Sequence, residues 1–567
     1  MPGRLHRGPL PPGELPPPLQ GHPRRLRRSG GGTPAPGRRG RGARSPEPRD
    51  GRGAPPRGAL RGPPAHSRRA GRRTLVTDHQ PGATGVDAPS GRRGTEVTLR
   101  GTTVPHAAGF VAGDRPRIVT AHFDDPEAHR LSRYEELGGY QGLRKALDST
   151  PAEVHSVIRD ATVLGRGGAG FPAGVKWGFC PEGVWPRYLV VNGDESEPGT
   201  YKDRLLMELD PHQLIEGALI ACYAVGLTQC FLYVRGEMAL AQERIATALN
   251  EAYAAGYVGR NIMGTDFSVD VVLHWGAGAY VVGEETALIE SLEGKRGMPR
   301  LKPPYFPAAI GLYGQPTIVN NVETLSNMPW IMNHGAEAYR AIGTESSPGT
   351  RMVAVSGHVK RPGVYEIVNG STTFRDLIYG EDMCGGIRED RELKAFVPGG
   401  GSAPWFLPEQ LDIPFEGRQA SAAGSMLGSG AVIVMDETTD IPRAALSLTH
   451  FYAHESCGKC TPCREGGTWL ERIMTRIVDG YGTERDLQLL TEVGQSICPG
   501  AFPHAADSSR GLEAVPFPYR MNTICFVGPS AYAPVNSALT LFPEEFEARV
   551  RRDEGVPVAA PGRESRV

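Results

Sequence analysis

No run in this chain approaches the roughly 18 apolar residues that a membrane-spanning helix requires. Any association with a bilayer is therefore expected to go through partners. Cysteine is scarce, nine in 567 residues, and lacks the paired spacing that staples secreted domains, which points to a reducing compartment. Net charge is nearly absent too, at −1. What remains is an ordinary hydrophobic content of 39% and a length that accommodates several domains around a large core, the profile of a soluble globular chain.

The first 110 residues differ in kind. Stretches such as Pro23-Arg24-Arg25-Leu26-Arg27-Arg28 and Gly37-Arg38-Arg39-Gly40-Arg41-Gly42 cannot build a core. They also lack the apolar segment of a signal peptide. The favoured reading is an upstream stretch translated from a start codon placed too early. A genuine disordered extension and an Arg-rich arm for nucleic acid or anionic lipid are the alternatives. A mature chain beginning at Met1 would exclude the early start. Folded sequence is expected from about Arg115, with Thr150-Pro151-Ala152-Glu153 in the form of a helix capping box.

Against that sparse cysteine background, three thiols sit together in His454-Glu455-Ser456-Cys457-Gly458-Lys459-Cys460-Thr461-Pro462-Cys463-Arg464. Cys-x-x-Cys-x-x-Cys spacing lets three thiolates converge on one face of a cubane, so the favoured cargo is a [4Fe-4S] centre completed by a fourth cysteine from elsewhere. Zinc is the competitor, but it usually brings a second Cys or His pair, and none is present in the sequence. Lys459 and Arg464 flank the thiolates and offset cluster charge. Thr461 and Pro462 are expected as cap and first residue of a helix running through Trp469, Ile473 and Ile477. Two cysteines compete for the fourth position, Cys498 before Pro499 and Cys525 within Thr523-Ile524-Cys525-Phe526-Val527-Gly528. Spacing alone does not choose between them.

Glycine carries the second signal. Gly165-Arg166-Gly167-Gly168-Ala169-Gly170 contains Gly-x-Gly-x-x-Gly, yet it follows the helical period of Val154, Val157, Ile158 and Ala161 and so lacks the strand that precedes a Rossmann loop. Its continuation through Phe171, Lys176 and Phe179 adds weight. Glycines admit backbone amides to a phosphate, Arg166 and Lys176 bring positive charge, and the two phenylalanines offer flat surfaces for a ring. In a blander reading the phenylalanines are simply core.

An apolar strand at Tyr188 to Val191 then runs into Asn192-Gly193-Asp194-Glu195-Ser196-Glu197-Pro198-Gly199. Ligands in open α/β sheets sit beyond strand C-termini, where carboxylates and an amide suit ribityl or ribose hydroxyls. A helix from Pro211 to Val225, a strand from Cys230 to Arg235, a helix through Leu240 and Ile245 and a strand from Val269 to His274 continue the alternation. This βαβ pattern predicts a mostly parallel sheet. The last strand opens into Gly276-Ala277-Gly278-Ala279-Tyr280-Val281-Val282-Gly283-Glu284-Glu285-Thr286, a second glycine-rich turn entering a helix. Two nucleotide-like loops in one sheet suggest a flavin and a nicotinamide held together. Glu284 and Glu285 are partly explained by the helix macrodipole alone.

Taken in order, these motifs resemble the NADH-binding flavoprotein subunit of respiratory complex I, its bacterial F subunit, from about residue 115 to 550. The resemblance implies FMN held by Gly165, Arg166, Gly167, Gly168, Lys176, Asn192, Asp194, Glu195, Tyr280, Gly283, Glu284, Asn320, Asn321 and Thr324. It implies NADH near Phe171, Phe179, Lys176, Glu197 and Glu285, and a [4Fe-4S] cluster on Cys457, Cys460, Cys463 and Cys525. The implied fold is a Rossmann-like, mostly parallel α/β domain over residues 111–340, a ubiquitin-like β-grasp module over 341–425, a helical iron–sulfur domain over 426–555 and a flexible tail over 556–567. Hydride would pass from NADH to FMN, and electrons would leave singly through the cluster toward quinone. No protein acid, base or nucleophile is needed, so no catalytic residue is expected beyond positioning groups.

Implied partners are a small thioredoxin-like iron–sulfur subunit and a large multi-cluster subunit at the cytoplasmic face of the inner membrane. No nucleic acid is expected. Three departures stand out: a long stretch from Cys498 to Met521, an added residue at Tyr305-Phe306, and Val282 where a cysteine is common. The alternatives are the diaphorase subunit of an NAD-linked hydrogenase or formate dehydrogenase, and a non-catalytic zinc- or cluster-stabilised scaffold.

Overall fold

The computed structural model describes residues 116–499 and 521–551. The expectations for residues 1–110, for most of the Cys498–Met521 stretch and for the tail lie outside the described residues.

The capping box forms as its residues dictate. Thr150 accepts from the Glu153 amide and Glu153 accepts from the Thr150 amide, with Pro151 opening helix α1 (Pro151–Asp160). A short helix, α2 (Ala173–Trp177), follows the first glycine loop. The chain then alternates through β1 (Tyr188–Gly193), α3 (Lys202–Leu209), α4 (Pro211–Val225), β2 (Gln229–Val234), α5 (Ala239–Ala254), β3 (Asp270–Trp275), α6 (Glu285–Leu292) and β4 (Thr317–Asn321). All pairings in this sheet are parallel, in the order β3-β2-β1-β4. Helix α4 is buried along nearly its whole length, which explains its continuous apolar sequence. Gly217 is required there, because a Cβ would stand 2.0 Å from the Leu325 carbonyl oxygen.

The strand order sets the site. From β1 the chain steps outward to β2 and β3, then returns to the other side of β1 with β4. A crevice opens beyond strand ends wherever the order reverses in this way. Register places Asn192 of β1 opposite Asn321 of β4, and Val191 opposite Asn320.

The next unit is a mixed sheet. A hairpin of β5 (Thr350–Gly357) and β6 (Gly363–Val368) is crossed by α7 (Phe374–Tyr379), and β7 (Leu393–Val397) and β8 (Ala431–Asp436) complete the order β6-β5-β8-β7 with β5 and β8 parallel. Phe374, Leu377, Phe396, Phe406 and Phe415 pack in its core. This is the β-grasp arrangement, but it extends past residue 425, because the central strand β8 lies beyond the glycine-rich segment Gly424–Gly430.

Four long helices follow, α8 (Ile441–Glu455), α9 (Thr461–Val478), α10 (Glu484–Ile497) and α11 (Val527–Leu541), and a short helix at Pro543–Glu547 comes after them. Leu470, Ile473, Met474, Ile477, Leu490, Val493 and Tyr532 form their core. Ile473 and Ile477 face inward as the period requires, whereas Trp469 is exposed. The cap of α9 is Cys460, and Thr461 is already helical.

Candidate functional site

The first glycine loop is pinned at its base, where the Gly165 amide donates to the Phe171 carbonyl at 3.0 Å. Gly167 lies so close to Asn321 that a Cβ would stand 3.1 Å from the Asn321 Cβ. Gly168 has φ +120° and Gly170 φ +66°, conformations that exclude most side chains. The loop thus runs along the end of β4 with its backbone uncovered. Phe171 and Phe179 are 46% and 58% exposed, their ring centroids 5.8 Å apart. They are not core.

Arg166 behaves differently from a phosphate ligand. Its side chain is only 2% exposed, donates to the Thr350 carbonyl at 2.7 Å and lies 3.8 Å from Glu323. Its charge is committed to the seam between the α/β domain and the β-grasp module. Only its backbone amide faces the site region, donating to Thr324 Oγ1 at 2.9 Å. Lys176 remains at the cleft, 2.7 Å from the Val319 carbonyl and 3.3 Å from Glu285.

At the end of β1, Asn192 donates to the Gly283 carbonyl at 2.9 Å, and the Asp194 amide donates back to Asn192 Oδ1 at 3.1 Å. The end of β1 is thereby tied to the second glycine loop. Both carboxylate oxygens of Asp194 are buried without a hydrogen-bond partner. Burial pushes this carboxyl up to about 7, against the pull of Arg235, which stands 3.8 Å away. Such a group demands donors, and the hydroxyls of a ribityl chain would supply them.

Glu195 accepts from the Asp203 and Arg204 amides, both at 2.9 Å, and so closes the start of α3. Burial and the neighbouring Asp203 push it up to about 7. Glu284 caps α6, accepting from the Thr286 and Ala287 amides at 2.9 Å, and Lys302 bridges Glu284 and Glu285 at 2.8 and 3.0 Å. Burial opposes ionisation of Glu285, but Lys176 and Lys302 together hold it below its ordinary value. Asn320 accepts from the Trp177 indole at 2.9 Å. Asn321 donates to Asp203 at 2.6 Å and caps Thr324. Beyond Lys302, Tyr305 and Phe306 are both exposed.

Glu197 accepts from Tyr280 Oη at 2.6 Å, the Ser402 amide at 2.7 Å and Tyr452 Oη at 3.0 Å. The Tyr280 amide donates to Glu455 at 2.8 Å. Arg235, Ser402 and Tyr452 escaped the sequence analysis, since each meets its partner across tens to hundreds of residues and belongs to no local motif, and Glu455, although it opens the cysteine motif, shows its link to Tyr280 only in the fold.

The thiols divide into two environments. Cys457, Cys460, Cys463 and Cys525 pack in one cluster with Val190, Tyr233, Val281, Val282 and Leu288, against the sheet beside the cleft. Cys498 instead belongs to the helix-bundle core. The competition for the fourth position therefore favours Cys525. Burial pushes Cys463 up to about 11 and Cys525 up to about 12, so ionising these thiols calls for a cation at the site. Among the described residues no group of three or more His, Cys, Asp or Glu closes around a single ion. Four thiols packed in one chamber are the donor set that a centre in which each thiolate binds a different iron would take.

Family models match in the same order as the three units. The Nuo51 FMN-binding domain covers residues 158–330, the SLBB domain 351–434, and the NADH-ubiquinone oxidoreductase-F iron-sulfur binding region 443–549. The NADH-quinone oxidoreductase F subunit of Mycobacterium tuberculosis (strain ATCC 25618 / H37Rv) is 46% identical over 441 residues, 76% of this chain and 93% of the relative. Its counterpart in Streptomyces coelicolor is 46% identical over 449 residues, 78% of this chain and 94% of the relative. Among solved structures, NAD+-reducing [NiFe]-hydrogenase in the air-oxidized state superposes with TM-score 0.60 at 33% identity, covering 78% of this chain and 67% of that one. The matches run through the glycine loops, the β-grasp sheet and the cysteine motif alike, and they displace the scaffold reading: the chain belongs to the family of NADH-quinone oxidoreductase F subunits.

Proposed function

We propose that the crevice beyond β1 and β4 holds FMN, that NADH lies over its open side against Phe171 and Phe179, and that electrons leave through a [4Fe-4S] centre on Cys457, Cys460, Cys463 and Cys525. FMN, if held there, would supply the chemistry of hydride acceptance and single-electron release. The chain's own residues bind and orient. Gly165, Gly167 and Gly168 admit the cofactor to the backbone, and Asp194 accepts from its hydroxyls. Asn192, Glu195, Asn320, Asn321 and Thr324 fix the walls, while Gly283 and Glu284 shape the second loop. Lys176, Glu197, Tyr280 and Glu285 line the side from which NADH enters.

The observation that carries this reading is the shared packing of the four thiols with Val190, Val281 and Val282. That packing supports a cluster held close to the walls of the proposed flavin crevice. Identity of 46% to the quinone oxidoreductase relatives against 33% to the hydrogenase favours quinone as the eventual acceptor.

As a member of this family the chain works among the other subunits of a complex. We assign it a thioredoxin-like iron–sulfur neighbour and a large multi-cluster neighbour at the cytoplasmic face. Among the described residues no helix is long and apolar enough to cross a membrane.

The test is an anaerobic optical spectrum of the FMN- and iron-sulfide-reconstituted protein before and after NADH. Bleaching of flavin and cluster bands is expected, and an unresponsive chromophore would sink the reading. A Cys460→Ser variant should keep FMN and lose electron exit.

A further inference from the structure

Helix α8 ends two residues before the first cluster cysteine, and its last turn reaches back into the crevice. Tyr452 and Glu455, three residues apart and so on one helix face, hold two adjoining segments of the α/β domain. Glu455 accepts the Tyr280 amide at 2.8 Å, and Tyr452 donates to Glu197 at 3.0 Å. The rings of Tyr280 and Tyr452 meet edge to face, with centroids 5.6 Å apart. Glu197 completes the arrangement by accepting from Tyr280 and from the Ser402 amide.

One carboxylate thus takes a donor from each of three units: Tyr280 from the α/β domain, Ser402 from the β-grasp module and Tyr452 from the iron–sulfur domain. Among the described residues Glu197 has no Lys, Arg or His partner within ion-pair distance. Neutral donors fix its position while leaving its negative charge at the cleft. Tyr452 is fully buried and Tyr280 half-buried, and burial together with the Glu197 charge pushes each hydroxyl well above its ordinary value. They therefore remain donors at every pH of interest.

We propose that Tyr452 is a positioning residue for NADH, acting through Glu197, so that the affinity of the cleft for the dinucleotide depends on how the iron–sulfur domain is seated. The inference rests on the assignment of Glu197 to the NADH side of the cleft. A purely structural tyrosine at this place would need only its ring. The hydroxyl aimed at Glu197 from another domain is what that account leaves over.

The experiment uses the full-length chain with FMN and iron restored, assayed for NADH oxidation with ferricyanide as acceptor. Tyr452→Phe removes one hydroxyl and keeps the ring. KM for NADH is expected to rise about five- to tenfold, the scale of one hydrogen bond to a carboxylate, with a smaller change in kcat. FMN and iron per chain stay at the parental level. In a Glu197→Gln background the same substitution should add less than about twofold, since the pair acts as one unit. Full additivity, an unchanged KM in Tyr452→Phe, or loss of FMN or iron would each overturn the proposal. An unchanged KM in Glu197→Gln alone would instead remove Glu197 from the NADH site, which overturns the underlying assignment as well.

Discussion

Asp194 carries an unmet demand. Its two oxygens lie buried without donors, and its carboxyl, pushed up to about 7 by burial, stays protonated in the folded flavin-free chain at pH values where the unfolded chain has released the proton. Between about pH 4 and pH 7 the folded state therefore binds more protons. Stability contributed by Asp194 falls as pH rises through that window and levels off above it. Glu195, also raised to about 7, adds a slope of the same sign. Thermal midpoints of flavin-free Asp194→Asn are expected to decline less steeply over this range than those of the parent, and equal slopes would show that this carboxyl is not responsible. The thiols give a second contrast at this scale. Cys525→Ser should lose bound iron, whereas Cys498→Ser should retain it and cost about 1–2 kcal/mol for placing a hydroxyl in the bundle core. Iron per chain and a denaturation midpoint decide both. Local spacing makes the first three cysteines legible, and it leaves the fourth open because only packing against the sheet separates Cys525 from Cys498. It misleads at Arg166, whose position in a glycine loop suggests a phosphate although its guanidinium turns inward to Thr350 and Glu323.

Elements are most legible where one physical rule acts alone. Helix α4 spans Pro211–Val225 as the sequence indicates, because proline fixes its first turn and Gly226, with φ +67°, ends it. Strands β2 and β3 fall within one residue of expectation and β1 runs two residues further, since apolar runs bounded by turn residues leave little latitude, whereas β4 has no counterpart among the strands expected from the sequence. Strand β8 falls on the far side of the expected boundary because Gly424–Gly430 has the composition of a linker, while the pairing that makes β8 the partner of β5 spans about eighty residues. Helix–helix contact yields a prediction at this scale. A Cβ on Gly494 of α10 would stand 1.9 Å from the Tyr532 ring of α11, so Gly494→Ala must push those helices apart at a cost of about 1–3 kcal/mol. Because α11 follows Cys525 closely, the variant should lose iron while keeping FMN. Flavin and iron analysis of the purified protein checks this, and parallel loss of both cofactors would contradict it.

The three units are joined by buried charge as well as by apolar surface. Glu323 is fully buried, lies 2.6 Å from Lys202 and 3.8 Å from Arg166, and accepts the Met352 amide of β5 at 2.8 Å. Removing its charge leaves two buried cations short of an anion. Glu323→Gln is therefore expected to cost about 3 kcal/mol, read as a lower urea midpoint for the α/β and β-grasp units together; a midpoint unchanged within error would remove Glu323 from the seam. None of this is visible in the sequence, where Arg166, Lys202, Glu323 and Met352 are scattered among motifs that each suggest a local role. The cysteines add a consequence of another kind. Their thiols come from two stretches of chain about sixty residues apart, so an iron–sulfur centre on them closes a ring. In polymer terms it is a crosslink, and one of that span restricts the unfolded chain by about 4 kcal/mol. The group that conducts electrons is thus also a fastener, and oxidative loss of iron would slacken the domain whose Tyr452 reaches into the crevice.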